Sequence, residues 1–133
     1  MLGPRIGWIV ALLTVAVAAS AAPPYDGSTP LQCAIGPVLV CSNPQVCVRG
    51  TASTVNLPPV VSVDVGQRLI GGAATGRTAR ITAVSHEGGR LMIYGTETGS
   101  SWSLAIFVDT GDMTSAVLSR DGVFLMFGKC SSG

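Results

Sequence analysis

In the second half of the chain, apolar residues gather in runs of about eight that are too short and too β-branched for helices. The runs are Arg90–Glu97, Ser101–Val108, Asp112–Ser119 and Val123–Cys130. Thr98-Gly99-Ser100, Asp109-Thr110-Gly111 and Arg120-Asp121-Gly122 separate them, each joint carrying glycine beside a threonine or an acid, which is the hairpin signature. The pattern predicts consecutive antiparallel strands, a C-terminal meander. A further strand over Arg77–His86 leads into it through the tight hairpin His86–Arg90.

Upstream the pattern is shorter and more broken. Val60–Val65 alternates with Val61, Val63 and Val65 on one face and Val60, Ser62 and Asp64 on the other, and Gly66-Gln67 turns the chain into a return strand from Arg68. Gly71–Gly76 lacks the lysine, the following hydroxyl residue and the helix of a phosphate cradle, so it reads as a long hairpin loop. Val38–Val40 reads as a short buried strand within Leu31–Cys41. Asn43-Pro44 is a turn, Val46–Val48 a second short strand and Thr51–Val55 β-prone, and Pro58-Pro59 breaks any ladder.

Along the meander both faces of the strands are apolar. Trp102, Leu104, Ile106 and Val108 oppose Ala105 and Phe107, while Val123, Leu125 and Phe127 oppose Phe124 and Met126. A sheet with one wet face shows polar residues at every second position. The departure predicts a compact closed structure, with Trp102, Ile106, Phe124 and Phe127 in its core and a partner over one face as an alternative way to cover the rest. No capped helical stripe is present. The fold class expected is all-β, a small antiparallel barrel or sandwich with a C-terminal meander.

The N-terminus changes the compartment rather than the fold. Arg5, the apolar run Ile6–Ala19 and the small residues Ala19-Ser20-Ala21 form an export signal with cleavage after Ala21. The apolar run is shorter than the roughly 20 residues of a membrane span. The expected organisation is a signal peptide at 1–21, a flexible proline-containing arm at 22–30 and one β domain at 31–133, in the periplasm or secreted. Removing Arg5 from the eight basic residues leaves seven against seven acids, a neutral domain without the basic surplus that nucleic-acid binding needs.

Cys33, Cys41, Cys47 and Cys130 form an even set behind an export signal, which implies disulfides. Four cysteines admit three pairings, and the preferred one is Cys41 with Cys47 and Cys33 with Cys130. With one histidine and no paired-cysteine spacing, a zinc centre is not expected, nor is any other cofactor.

Catalytic signals are thin. His86 stands at a hairpin beside Glu87 and reads as a solvated group, and no serine occupies a nucleophile motif. Asp109 and Asp112 flank one turn and read as turn residues. The candidates for recognition are Arg68, Arg77, Arg80 and Arg90, which together would suit an acidic polymer or an envelope protein. The expectation is a binding or structural module and not an enzyme, with a small hydrolase of unrecognised site as the competing class.

The segment Leu118–Cys130, with its aromatic-Gly-x-Cys ending, resembles the C-terminal strand of small exported bacterial β proteins of uncharacterised function. The chain also resembles, more distantly, the periplasmic inhibitors of C-type lysozyme, small β-barrels whose disulfide joins an early strand to the C-terminus, as Cys33 and Cys130 would. Their inhibitory Ser-Gly-x-Arg/Lys-Tyr segment is not found around Tyr94 or Gly99–Ser101. The resemblance therefore implies the architecture, with inhibition of a lytic enzyme such as lysozyme as an alternative function.

Overall fold

The computed structural model describes residues 3, 4, 7, 9–15, 24–72 and 78–132. The proposed cleavage point after Ala21, Arg77 and most of the Gly71–Gly76 loop lie outside the described residues. Nine strands run in chain order: β1 (Leu31–Asn43), β2 (Val46–Gly50), β3 (Val60–Asp64), β4 (Leu69–Gly71), β5 (Thr78–Glu87), β6 (Arg90–Glu97), β7 (Ser100–Phe107), β8 (Asp112–Ser119) and β9 (Gly122–Ser132). From β3 to β9 each strand pairs antiparallel with the next, and β9 returns to pair with β1. The result is an eight-stranded closed antiparallel barrel, with β2 attached outside the ring to the second half of β1.

Closure rests on β1. Its first residues pair with β3 on one side, Leu31 opposite Val63, and with β9 on the other, Cys33 opposite Cys130. The β1–β9 register slips between Ile35 and Val38, where Gly36 and Pro37 sit. Proline has no N–H to give to a ladder, so strands carry it at bulges and edges. Beyond that bulge β1 exchanges β3 for β2, with Val38 opposite Gly50 and Cys41 opposite Cys47. Both disulfides thus join directly opposed residues, Cys33 to Cys130 and Cys41 to Cys47.

The hairpins form where the sequence places them. Gly88 and Gly89 both have positive φ, 57° and 72°, as a two-residue primed turn matching the strand twist requires. The β-prone stretch Thr51–Val55 differs from expectation: Ala52–Val55 is a short 3-10 turn. The Thr54 hydroxyl accepts from the Thr51 N–H at 3.0 Å, and Asn56 ends the turn in the left-handed region. Hydroxyl side chains offer the backbone this local alternative to a ladder, and here it outweighs β propensity.

The strands alternate cleanly, so one face fills the barrel. Leu31, Cys33, Val63, Ile81, Leu91, Ile93, Ile106 and Cys130 are all but fully buried and in mutual contact. Ile106 is core as expected, and Trp102 packs against that cluster partly buried. Phe127 is not core: it is 49% exposed on the outer face. Cys130 must point inward to reach Cys33, and Met126, four residues earlier, shares that face, so the odd-numbered residue between them and Met126 is turned outward. The stretch read as an arm touches the barrel: the Tyr25 N–H donates to the Val108 carbonyl at 3.2 Å, and Tyr25 packs against the core.

Two consequences are measurable by urea denaturation. Leu91→Ala or Ile93→Ala should cost about 2–5 kcal/mol, whereas Phe127→Ala should cost under about 1 kcal/mol because little is buried there. Opening Cys33–Cys130, which spans 97 positions, should cost about 5 kcal/mol in the chain-entropy account, and opening Cys41–Cys47, which spans 6, about half that.

Candidate functional site

The barrel interior is filled at one end only. Leu31 of β1, Leu91 and Ile93 of β6 and Ile106 of β7 fill the interior towards the β5–β6 hairpin. Towards the opposite end the inward positions turn small: Ala79 on β5, Gly95 on β6 and Ser115 on β8. Side chains of that size cannot meet across an eight-stranded barrel, whose bore just suffices for large ones. A cavity of about 500 Å³ results, open at the mouth and floored by Leu104, Met113 and Met126.

Trp102 forms one wall. It stands opposite Gly95 on β6 and opposite Val117 on β8, and its six-membered ring lies where any side chain at 95 would have to be. The bare backbone of Gly95 is what lets a large aromatic lie flat against the sheet. The indole Nε1 is covered and has no hydrogen-bond partner, so Trp102 offers the cavity carbon surface. The one hydroxyl deep in the wall is likewise engaged, Ser115 Oγ donating to the Ser103 carbonyl at 2.7 Å.

Among the described residues the charged groups of the lining stand at the rim. The adjacent β6–β7 and β8–β9 hairpins bring Glu97, Thr98, Ser100, Ser119, Arg120 and Asp121 to the mouth. Ile35, Val55, Leu57, Val61 and Ile70 also line the cavity, the 3-10 turn and its exit supplying an apolar lip, and Glu97 borders a small recess shared with Leu57, Val61 and Ile70.

The residues singled out from sequence lie elsewhere. Leu69 pairs with Arg80, and the Arg68 carbonyl accepts from the Ile81 N–H at 2.9 Å, so Arg68 and Arg80 are neighbours. Arg90 starts β6 at the far end, roughly 20 Å along the strands at ~3.3 Å per residue. Arg77 lies outside the described residues, so the structure brings together two of the four. His86 Nε2 meets the Asp26 carbonyl at 3.0 Å beside the β5–β6 hairpin, at the barrel end remote from the cavity. Ser28 holds the Asp26 carboxyl below its ordinary range through its hydroxyl and amide, with a smaller pull from His86. Asp112 is bound by Lys129 at 3.1 Å and by the Thr110 hydroxyl, which lower its pKa in that order of weight. Among the described residues no three histidine, cysteine or acidic groups are placed to share a metal ion.

The cavity residues were not singled out by motif, because none has one. The available signal was volume: Ala79, Gly95 and Ser115 are small at inward positions of three strands whose other inward residues are large. Comparison with protein-family models, curated proteins and solved structures returned no match. The site therefore rests on its own geometry.

Gly95→Ala tests the Trp102 wall. With Trp8→Phe also made, Trp102 is the only indole of the chain. Displacing it towards the mouth should shift its emission to the red and cost about 1–3 kcal/mol in stability, the usual range for overpacking.

Proposed function

We propose that this protein is an exported binding module, acting in the periplasm or outside the cell, that holds a small apolar molecule in the mouth of its barrel without reacting it. The observation that carries the reading is the open cavity of about 500 Å³, within the range of small-molecule sites, walled mainly by apolar side chains, with the charged groups among the described residues at the rim. Eight-stranded barrels are of the size that either fills with side chains or holds one small ligand, and here the small inward residues favour the second. Among the described residues the walls carry no imidazole or thiol, and the charged groups that line the cavity, Glu97, Arg120 and Asp121, are at its edge. An acid–base pair would need to sit against the reacting atoms in a desolvated place. The two disulfides fit an oxidising compartment.

The barrel interior is apolar, whereas a lipid-embedded barrel has a polar lumen. On the outer face β5 carries Thr78, Arg80 and Thr82, while Tyr94, Phe107, Leu118 and Phe127 are exposed on other strands. The apolar lumen favours a protein that works in water.

A second reading, inhibition of a lytic enzyme, is favoured by the Cys33–Cys130 bridge joining the first barrel strand to the last. The two readings part experimentally. The neutral fluorescent probe N-phenyl-1-naphthylamine should bind saturably at one site per chain. Ala79→Phe and Val117→Phe, which fill the mouth, should each weaken binding at least tenfold while the melting temperature stays within a few degrees. No saturable signal, or a signal indifferent to both substitutions, would sink the cavity reading. Lysozyme inhibition that persists in both filled variants would establish the second.

A further inference from the structure

The outer face of the barrel is uneven in charge. β5 turns Arg80 outward between Thr78 and Thr82, whereas β8 and β9, on the opposite side of the ring, turn out a field without a charged group. Its residues are Thr114, Ala116 and Leu118 on β8 and Val123, Leu125 and Phe127 on β9. Leu118 and Phe127 are about half exposed. Apolar side chains left in water on neighbouring strands mark a contact surface. We infer that this face binds a second copy of the chain, as a two-fold dimer in which β9 of each copy packs over β8 of the other. This pairing is independent of what the mouth holds.

Shape selects a second copy. At two levels of the ladder a large residue on β9 stands beside a smaller one on β8, Phe127 opposite Thr114 and Leu125 opposite Ala116. The face is therefore a ridge next to a trough, and the trough continues on β7, where Ser103 and Ala105 are also small. A two-fold axis running along the strands between β8 and β9 exchanges the two features and sets each ridge in the other copy's trough. Leu125 then covers the partner's Ala116, and Phe127 the partner's Thr114. Sheets stacked in this way keep their strands within about 30° of one another, the aligned class of sheet packing.

Charge agrees with the same axis. The level beyond Phe127 holds Lys129 on β9 opposite Asp112 on β8, both exposed and joined at 3.1 Å. The rotation brings Lys129 over the partner's Asp112 and Asp112 over the partner's Lys129, so unlike charges are opposed twice and like charges nowhere at this level. A lipid surface has no fixed register of acid and base to meet that level.

Area sets the strength. Two strands with half of each neighbour span ~15 Å, and the eight residues of β8 about 27 Å, a footprint of roughly 400 Å² a side against ~800 Å² in a standard interface. The dimer is weak and reversible.

Sedimentation velocity of the exported protein from about 1 µM to about 1 mM spans the affinities of small interfaces. The weight-average mass should rise from one chain towards two. Leu125→Lys, which sets a charge against the partner's Ala116, should weaken pairing at least about tenfold while the melting temperature stays within a few degrees. Asp112→Lys and Lys129→Asp each oppose like charges across the axis and should each weaken it by a similar factor, whereas an equimolar mixture of the two should pair again. Both positions are exposed, so these variants keep the test readable should Leu125→Lys unfold. A single chain at every concentration overturns the dimer, as does pairing indifferent to a folded Leu125→Lys, or a mixture that associates no better than its components. A protein that stays single and sediments with phosphatidylcholine vesicles assigns the face to lipid and overturns it too.

Discussion

The pairing of β1 with β9 is the constraint on which the rest of the molecule depends. Every other ladder in the barrel joins strands that are neighbours in sequence or nearly so, and sequential hairpins alone make an open ribbon with two free edges. The β1–β9 ladder and the Cys33–Cys130 bridge within it convert that ribbon into a cylinder, and only a cylinder has an inside. Closure also removes the edges through which unpaired strands associate. Once the ring is shut, alternation along each strand divides the residues into a lining and an outer coat, and both the core and the cavity follow from that division.

Much of this was legible in the sequence because hairpin chemistry is local. Gly88 and Gly89, Gly99 and Gly111 each mark a turn that occurs, and the valine alternation at Val60–Val65 places Val63 in the core with Val61 and Val65 against it. The cysteines behaved likewise, since each pair sits on opposed residues of one ladder. Where both faces of a strand were apolar, the pattern could not say which face was in. Phe127 was misplaced for that reason, although the parity of Cys130, once paired inward with Cys33, would have turned it out. Thr51–Val55 failed differently: threonines that favour strands also cap tight turns, and the choice depends on Gly50, against which Thr54 packs.

The cavity was harder to foresee because it is made of what is missing from several strands at once. No single residue among Ala79, Gly95 and Ser115 signals a site. They matter only when the barrel turns all three towards one interior, and that interior exists only after closure. Arginines, by contrast, stand out in a chain of low charge, yet Arg90 lies at the opposite end of the strands from Arg68 and Arg80.

The placement of the two bridges also orders how the chain becomes a protein. Synthesis delivers the N-terminal end first, so Cys33, Cys41 and Cys47 emerge long before Cys130, and for that interval an odd number of thiols is on hand. The β1–β2 hairpin brings Cys41 and Cys47 together across a tight turn in which the Asn43 side chain accepts from the amides of Gln45 and Val46. Short local contacts of this kind form in microseconds, far ahead of disulfide chemistry. Oxidation of that pair withdraws the two thiols that compete for Cys33 and leaves it a single partner, the one that arrives with the last strand. Closed first, the small bridge outside the barrel would leave the large one inside it a single possible pairing.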